Sequence, residues 1–316
     1  MIIDLASYCA FFLVTALCYG IICLGLNLQW GQTGLFNVGV AGFVAIGAYS
    51  SALLTTPEAV GRLGGFGLPI WLGWLAASLV SGAAAAIIGA ITLRLRTDYL
   101  AITTFGIAIA IQLVALNAET LTGGPFGIGF IPRTFAGLEG NSVQFNVANL
   151  SLVGGVTLVI YVALERLVRS PWGRVLRAIR EDEIAAISLG KNCNFFRWQA
   201  FVLGSAIMGL GGAIQAHFIG FIAPENYLSA ITFQVWAMLI IGGSGNNRGA
   251  LLGAVVVWAT WSLTGATMSA FVPAEFQART AALQIVFIGV ILAGVLVLRP
   301  RGLIGETKTV SRFLKD

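Results

Sequence analysis

Arg177, Arg180, Glu181, Asp182 and Glu183 crowd into RAIREDEIAAISLGKN, residues 177–192, of a chain built mostly from Leu, Val, Ile, Ala, Gly and Phe. Charges this dense could belong to a catalytic site or fix the register of a docking protein. Catalysis would need a nucleophile, a metal ligand set or an acid–base pair close by. The sequence offers none. His217 is the only histidine, and Cys9, Cys18, Cys23 and Cys193 lack metal-ligand spacing. The phosphate-cradling G-x-x-x-x-G-K-[ST] loop is absent. Gly242-Gly243-Ser244-Gly245 has no Lys-Ser/Thr behind it and suits a tight turn between closely packed membrane helices. We therefore expect no catalytic residue, no metal site and no cofactor in this chain.

The elements that hold this segment follow from composition. Hydrophobic residues make up 58% of the chain and charged residues 10%, against about 25% charged in soluble domains. Mean hydropathy is +0.90. Too few charges remain to face water, so lipid is the expected solvent. Charge-free runs cover Leu5–Pro57, Leu63–Leu93, Tyr99–Ala118, Gly140–Leu164, Trp198–Pro224, Asn226–Asn247, Gly249–Ala274 and Thr280–Leu298; a spanning helix needs roughly 20 apolar residues. Met1-Ile2-Ile3-Asp4 lacks the basic start of a signal peptide, and the first run is too long for one.

These runs predict an all-α polytopic bundle of about nine spans. They fall near Tyr8–Leu28, Leu35–Leu54, Pro69–Leu93, Tyr99–Asn117, Leu150–Val168, Gln199–Ile222, Phe233–Gly243, Ala250–Phe271 and Ala281–Leu298. The short seventh run suits a bent or half-membrane helix. With the N-terminus outside and the C-terminus in the cytoplasm, 15 Lys and Arg lie inside, among them Arg94, Arg96, Arg166, Arg169, Arg174, Arg177, Arg180, Lys191, Arg197 and Arg248. Only Arg62, Arg133 and Arg279 lie outside, completing the 18 in the sequence. That asymmetry supports the orientation and accounts for the net charge of +5 without nucleic acid. The basic tail at 299–316 suits anionic head groups.

The charged segment is then a cytoplasmic loop, at about 169–198. Pro171 suits a first helical turn, and Leu176, Ile179, Glu183 and Ile187 recur at helical steps along one edge of a helix read over 171–192. Ala178, Ala185 and Ala186 favour helix, and Gly190 stands where a glycine stop is expected. Small residues let another protein approach, and Arg177, Arg180, Glu181 and Glu183 would set its register. The same pattern also fits a solvated helix that only anchors topology. Within the spans, Asn27, Asn37, Gln112, Asn117, Gln215, His217 and Gln234 are candidates to line a solute path. Each competes with a plain interhelical hydrogen bond worth about 0.6–2 kcal/mol. No intramembrane acid or base stands among them, which disfavours a proton- or sodium-driven carrier and suits a neutral or zwitterionic cargo. Thr56–Gly67 and Glu119–Asn149 are the longer external segments.

SPWGRVLRAIREDEIAAISLGKN, residues 170–192, resembles the cytoplasmic loop of the LIV-type branched-chain amino acid ABC importer permeases. In that family a Glu-Ala-Ala segment, followed after three residues by Gly, docks into the ATPase subunit. Ala185, Ala186 and Gly190 keep that spacing; Ile184 stands in the Glu position and Glu183 lies one step earlier. LNLQWGQTGLFNVGVAGFVAIGAY (26–49), DYLAITTFGIA (98–108), LTGGPFGI (121–128), GFIAPENY (220–227), IGGSGNNRGALLGAVVVW (241–258) and LRPRGLIGE (298–306) are similar to the same family, in the same order. The resemblance implies a single permease domain over 1–316, with ATP and Mg bound by one or two separate ATP-binding subunits. It implies a second, related permease beside this one, an external or periplasmic solute-binding protein, and a bacterial-type cytoplasmic (inner) membrane. The implied cargo is a branched-chain or other hydrophobic amino acid; relatives of the family carry urea and short amides. A stand-alone channel or secondary carrier would have no ATPase for the charged helix to grip.

Overall fold

A backbone in lipid finds no water for its N–H and C=O groups and must satisfy them within helices. The chain follows that rule in a computed structural model, which describes residues 2–58, 61, 63–271, 286, 289–290, 293–294, 297 and 302–305. The helices are α1 (Ile2–Leu26), α2 (Val40–Thr55), α3 (Ile70–Thr92), α4 (Thr97–Asn117), the single turn α5 (Glu119–Thr122), α6 (Ser142–Arg169), α7 (Pro171–Glu181), α8 (Glu183–Ser188), α9 (Cys193–Ile219), α10 (Ser229–Gly242) and α11 (Asn247–Phe271). Among the described residues, β pairing is confined to one isolated bridge, Ile128 with Ile222.

Ala6–Gly31, α3, α4, α6 and α9 are 21–28 residues long and apolar enough to cross a membrane. This is an all-α, multi-pass membrane protein. With 16 and 14 residues, α2 and α10 rise about 24 and 21 Å at 1.5 Å per residue, short of the roughly 30 Å hydrocarbon core. Most of the expected ninth segment, Ala281–Leu298, and most of the tail at 299–316 lie outside the described residues. Gly302–Gly305 is described, and its Leu303 and Ile304 N–H groups bond to Ile241 and Gly242 carbonyls at the end of α10.

The bundle is built around α1 and α9. α1 packs on α6, α9 and α11; α9 packs on α1, α2 and α3; α4 lies on α2, and α10 on α11. Glycine permits the closest of these approaches. A Cβ on Gly47 of α2 would run into the backbone of Gly209 on α9, and one on Gly25 would stand 2.5 Å from the Gly204 carbonyl oxygen. With lipid as solvent, small residues let backbones meet and gain dispersion contacts. Large apolar side chains face outward instead, as with Leu79, Ile87 and Ile91 on α3 and Ile102 on α4.

Three segments depart from the sequence expectation. The second span does not start at Leu35: residues 34–39 are irregular and α2 begins at Val40. α6 starts at Ser142, eight residues before the expected Leu150, because Asn141 caps it, its Oδ1 accepting from the Val143 and Gln144 N–H groups at 3.1 and 3.3 Å. The expected external segment Glu119–Asn149 is therefore partly helical. Finally, residues 171–192 are not one helix. Asp182 adopts extended φ and ψ of −151° and 102°, and its side chain caps a second helix by accepting from the Ala185 N–H. A short acid that bonds backbone locally favours such a break over continuation.

Candidate functional site

Ser170 precedes Pro171, and α7 runs from there with Leu176 and Ile179 buried beneath it. Ile179 joins Ala186 and Cys193 in a small apolar cluster, with Val175 and Phe196 against it. This cluster fastens α7 and α8 to the start of α9. Glu183 adds an ion pair, its Oε1 2.6 Å from Arg197 Nη1. α8 ends in a Schellman arrangement: Gly190, at φ +74°, donates to Ile187 O at 2.8 Å, and Lys191 donates to Ala186 O at 3.1 Å. The glycine stop expected from the sequence is present.

The bend at Asp182 changes which residues face outward. Ala186 is 3% exposed, so it packs inward rather than offering a small contact surface, whereas Ala185 and Gly190 are exposed. Ile187 leaves the apolar edge expected for it. With Ile184 and Leu189 it forms an outward patch, the three being 56%, 78% and 78% exposed. Glu181 is exposed, 3.8 Å from Arg180. Arg177 is half-buried and lines a cleft with Arg169, Arg174, Glu165 and Arg248.

Arg180 reaches furthest. Its Nη1 donates to the carbonyl of Gly31, and its stem lies over Gly34. Gly31 closes a π-helical turn, Asn27–Gly31, that ends the first membrane helix; such turns frequently mark functional sites. The turn is held by buried amides. Asn27 Nδ2 donates to Asn247 Oδ1 at 2.9 Å, and Asn27 Oδ1 accepts from the Gly245 N–H at 2.8 Å. Asn247 Nδ2 donates to Glu165 Oε2 at 3.1 Å. Gln29 Nε2 donates to Phe201 O and Ser205 Oγ at 2.8 and 3.0 Å, while its Oε1 accepts from Asn37 Nδ2 at 2.8 Å. The chain from α7 through the π turn thus touches α6, α9 and α11.

The candidate path residues scatter. Asn27 and Asn37 are fully buried and bonded, as interhelical clamps are. Asn37 lies in the irregular 34–39 segment rather than in a span. His217 is buried between Ser51 Oγ at 2.8 Å and Pro132 O at 2.7 Å; the carbonyl can only accept, so Nδ1 donates to it. Asn117 is exposed and turns back to Leu113 O of its own helix. Gln112 is half-buried on α4. The Gln234 Nε2 is buried, with no bond among the described residues. Gln215 lines a cavity with Tyr19, Asn226 and Tyr227. Sequence reasoning missed Gln29, Gln32, Glu165, Arg197 and Asn247. The signal for Asn247 was present, since Asn246-Asn247 follows directly on GGSG within an apolar run.

Comparison with known proteins shows the family of the chain. Residues 8–296 match the family described as branched-chain amino acid transport system / permease component. The high-affinity branched-chain amino acid transport system permease protein LivM of Salmonella typhimurium is 36% identical over 260 residues, 76% of this chain and 59% of the relative. This chain thus spans about three fifths of that relative's length. The probable branched-chain amino acid transport permease protein LivM of Methanocaldococcus jannaschii is 27% identical over 94% of this chain and 93% of its own length. The permease protein LivH of Escherichia coli is 23% identical, with 91% of each chain covered. No solved structure matches. The chain belongs to the family of branched-chain amino acid transport system permease components.

Proposed function

We propose that this chain is the membrane-spanning permease subunit of an ATP-driven importer that carries branched-chain or other hydrophobic amino acids across a bacterial-type inner membrane. The observation that carries the coupling role is the outward apolar patch of Ile184, Ile187 and Leu189 on a helix otherwise fastened down by Glu183 and Ala186. Burying each such side chain in a partner is worth about 1.5–3 kcal/mol, and a helix that served only as a solvated anchor has no use for them. The partner is an ATP-binding subunit, which holds ATP and Mg and grips the cytoplasmic loop at 169–198.

ATP can drive the cycle only by favouring one global state of the permease over another. A rigid α7–α8 unit, seated in the ATPase and flanked by α6 and α9, would convert closure of the ATPase into movement of those helices. The related permease names LivM and LivH support a second, similar permease beside this one. An external solute-binding protein would deliver cargo at the opposite face. The whole of 1–316 acts as one permease domain, with the tail at 299–316 at the inner membrane surface.

The test is to tag the chain at its natural level, extract it gently and identify what co-purifies. A P-loop ATPase and a second permease, both lost when 180–190 is altered, support the reading. The chain recovered alone, under conditions that keep other membrane complexes intact, rejects it.

A further inference from the structure

At the end of the bundle opposite α7 and α8, a cavity of about 260 Å³ is lined by Tyr19, Gln215, Ala216, Ile219, Phe221, Ile222, Asn226, Tyr227 and Ile231. We propose that it is a transit site for one neutral, zwitterionic amino acid with a branched apolar side chain. This rests on the importer reading and adds the place within this chain where the cargo is held.

The position is suited to it. α9 ends at Gly220, a 3-10 turn covers Pro224–Tyr227, and the short α10 begins at Ser229 with no side-chain cap on its N-terminus. A helix N-terminus without a side-chain cap favours a negative group such as a carboxylate. The lining chemistry is the second argument. No Asp, Glu, Lys, Arg or His lines the cavity, which disfavours ions of net charge. Two phenols and two amides supply both donors and acceptors, as a carboxylate and an ammonium on one molecule require. Tyr227, 6% exposed, and its neighbour Asn226 both line the cavity, so a polar ligand there would meet a phenol and an amide together. Ile219, Ile222 and Ile231 supply an apolar wall for the side chain. The volume falls just below the roughly 300–1,000 Å³ of drug-sized sites, as expected for a small metabolite.

Ile231 and Tyr227 give the test, in cells whose own copy of this chain is replaced by variants and fed labelled leucine, valine or phenylalanine. Ile231→Phe narrows the cavity, and one methylene is worth about tenfold or more in a tight apolar pocket. The leucine-to-valine uptake ratio should therefore fall about tenfold. Ile231→Ala should raise phenylalanine uptake relative to leucine, and Tyr227→Phe should lower uptake of all three about fivefold. If the Ile231 variants keep wild-type proportions among the three, whether total uptake is full or uniformly reduced, the cavity is not on the path and the site is rejected while the importer stands. If deleting the chain leaves uptake of all three unchanged, the importer reading fails and the site fails with it.

Discussion

The Arg180 guanidinium on α7 donates to the carbonyl of Gly31, the last residue of the π turn that ends the first membrane helix. A helix in the loop is thereby tied to a helix at the centre of the bundle, independently of its covalent flanks α6 and α9. Gly31 cannot carry a side chain there, because a Cβ would collide with Asn27 Oδ1 and the Gly245 backbone. The loop is thereby joined to the bundle beyond its flanks, a second route in which one arginine makes the hydrogen bond.

Arg180→Ala removes that route and leaves the Gly31 carbonyl without its charged donor. Hydrogen bonds to charged groups contribute about 1.5–3 kcal/mol. Amino acid uptake per ATP hydrolysed should fall about tenfold or more. Arg180→Lys should recover part of it, since the charge survives but the planar fork does not. Parallel uptake and hydrolysis assays on reconstituted complex check this, and unchanged coupling in Arg180→Ala would remove the second route.

Asn27→Leu should destabilise the protein by about 1–3 kcal/mol. It orphans the Asn247 carboxamide oxygen and the Gly245 N–H, both now bonded to Asn27. A double-mutant cycle with Asn247→Leu should show coupling, because removing both partners strands fewer groups than removing one. Thermal unfolding in detergent reads out both.

Gly47→Ala should strongly lower the yield of folded protein, since the added methyl meets the Gly209 backbone. Gly155→Ala is the control. Nothing lies within 4 Å of its Cβ position, and helix propensity alone favours alanine by up to about 1 kcal/mol. Comparable losses in both variants would refute the close α2–α9 contact.

Gly190→Val should weaken recovery of the ATP-binding subunit while membrane insertion continues. The residue sits at φ +74° in open space, so the cost is backbone strain of about 1–2 kcal/mol rather than a clash. Gly190→Asn should be much better tolerated, because Asn enters the left-handed region more readily. Quantitative co-purification of the two variants measures the difference.

The sequence made the apolar helices legible, because charge-free runs leave few alternatives in lipid. It also made Pro171 and Gly190 legible as the ends of the loop's helical region, since both act through their own backbone. It did not disclose the break at Asp182. There a local side-chain cap competes with helix continuation, and periodicity alone favours continuation. Nor did it disclose the π turn, which depends on Asn27 and Gln32 meeting Gly245 from more than two hundred residues away. Long-range partners also explain the mixed outcome for the path candidates. Asn27, Asn37 and His217 look alike as polar residues in apolar runs, and only their buried partners reveal them as clamps, whereas Gln215 opens on a cavity.

The outward patch on α8 is expected to lie against an ATP-binding subunit. A photo-reactive amino acid at Leu189, which is 78% exposed, activated in native membranes without overexpression, tests it directly. The expected adduct is a P-loop ATPase, identified by mass spectrometry and reduced when Ile184 is replaced by Asp. Adducts confined to lipid or to the permease itself, in membranes where the transporter is active, would show that the patch does not meet an ATPase.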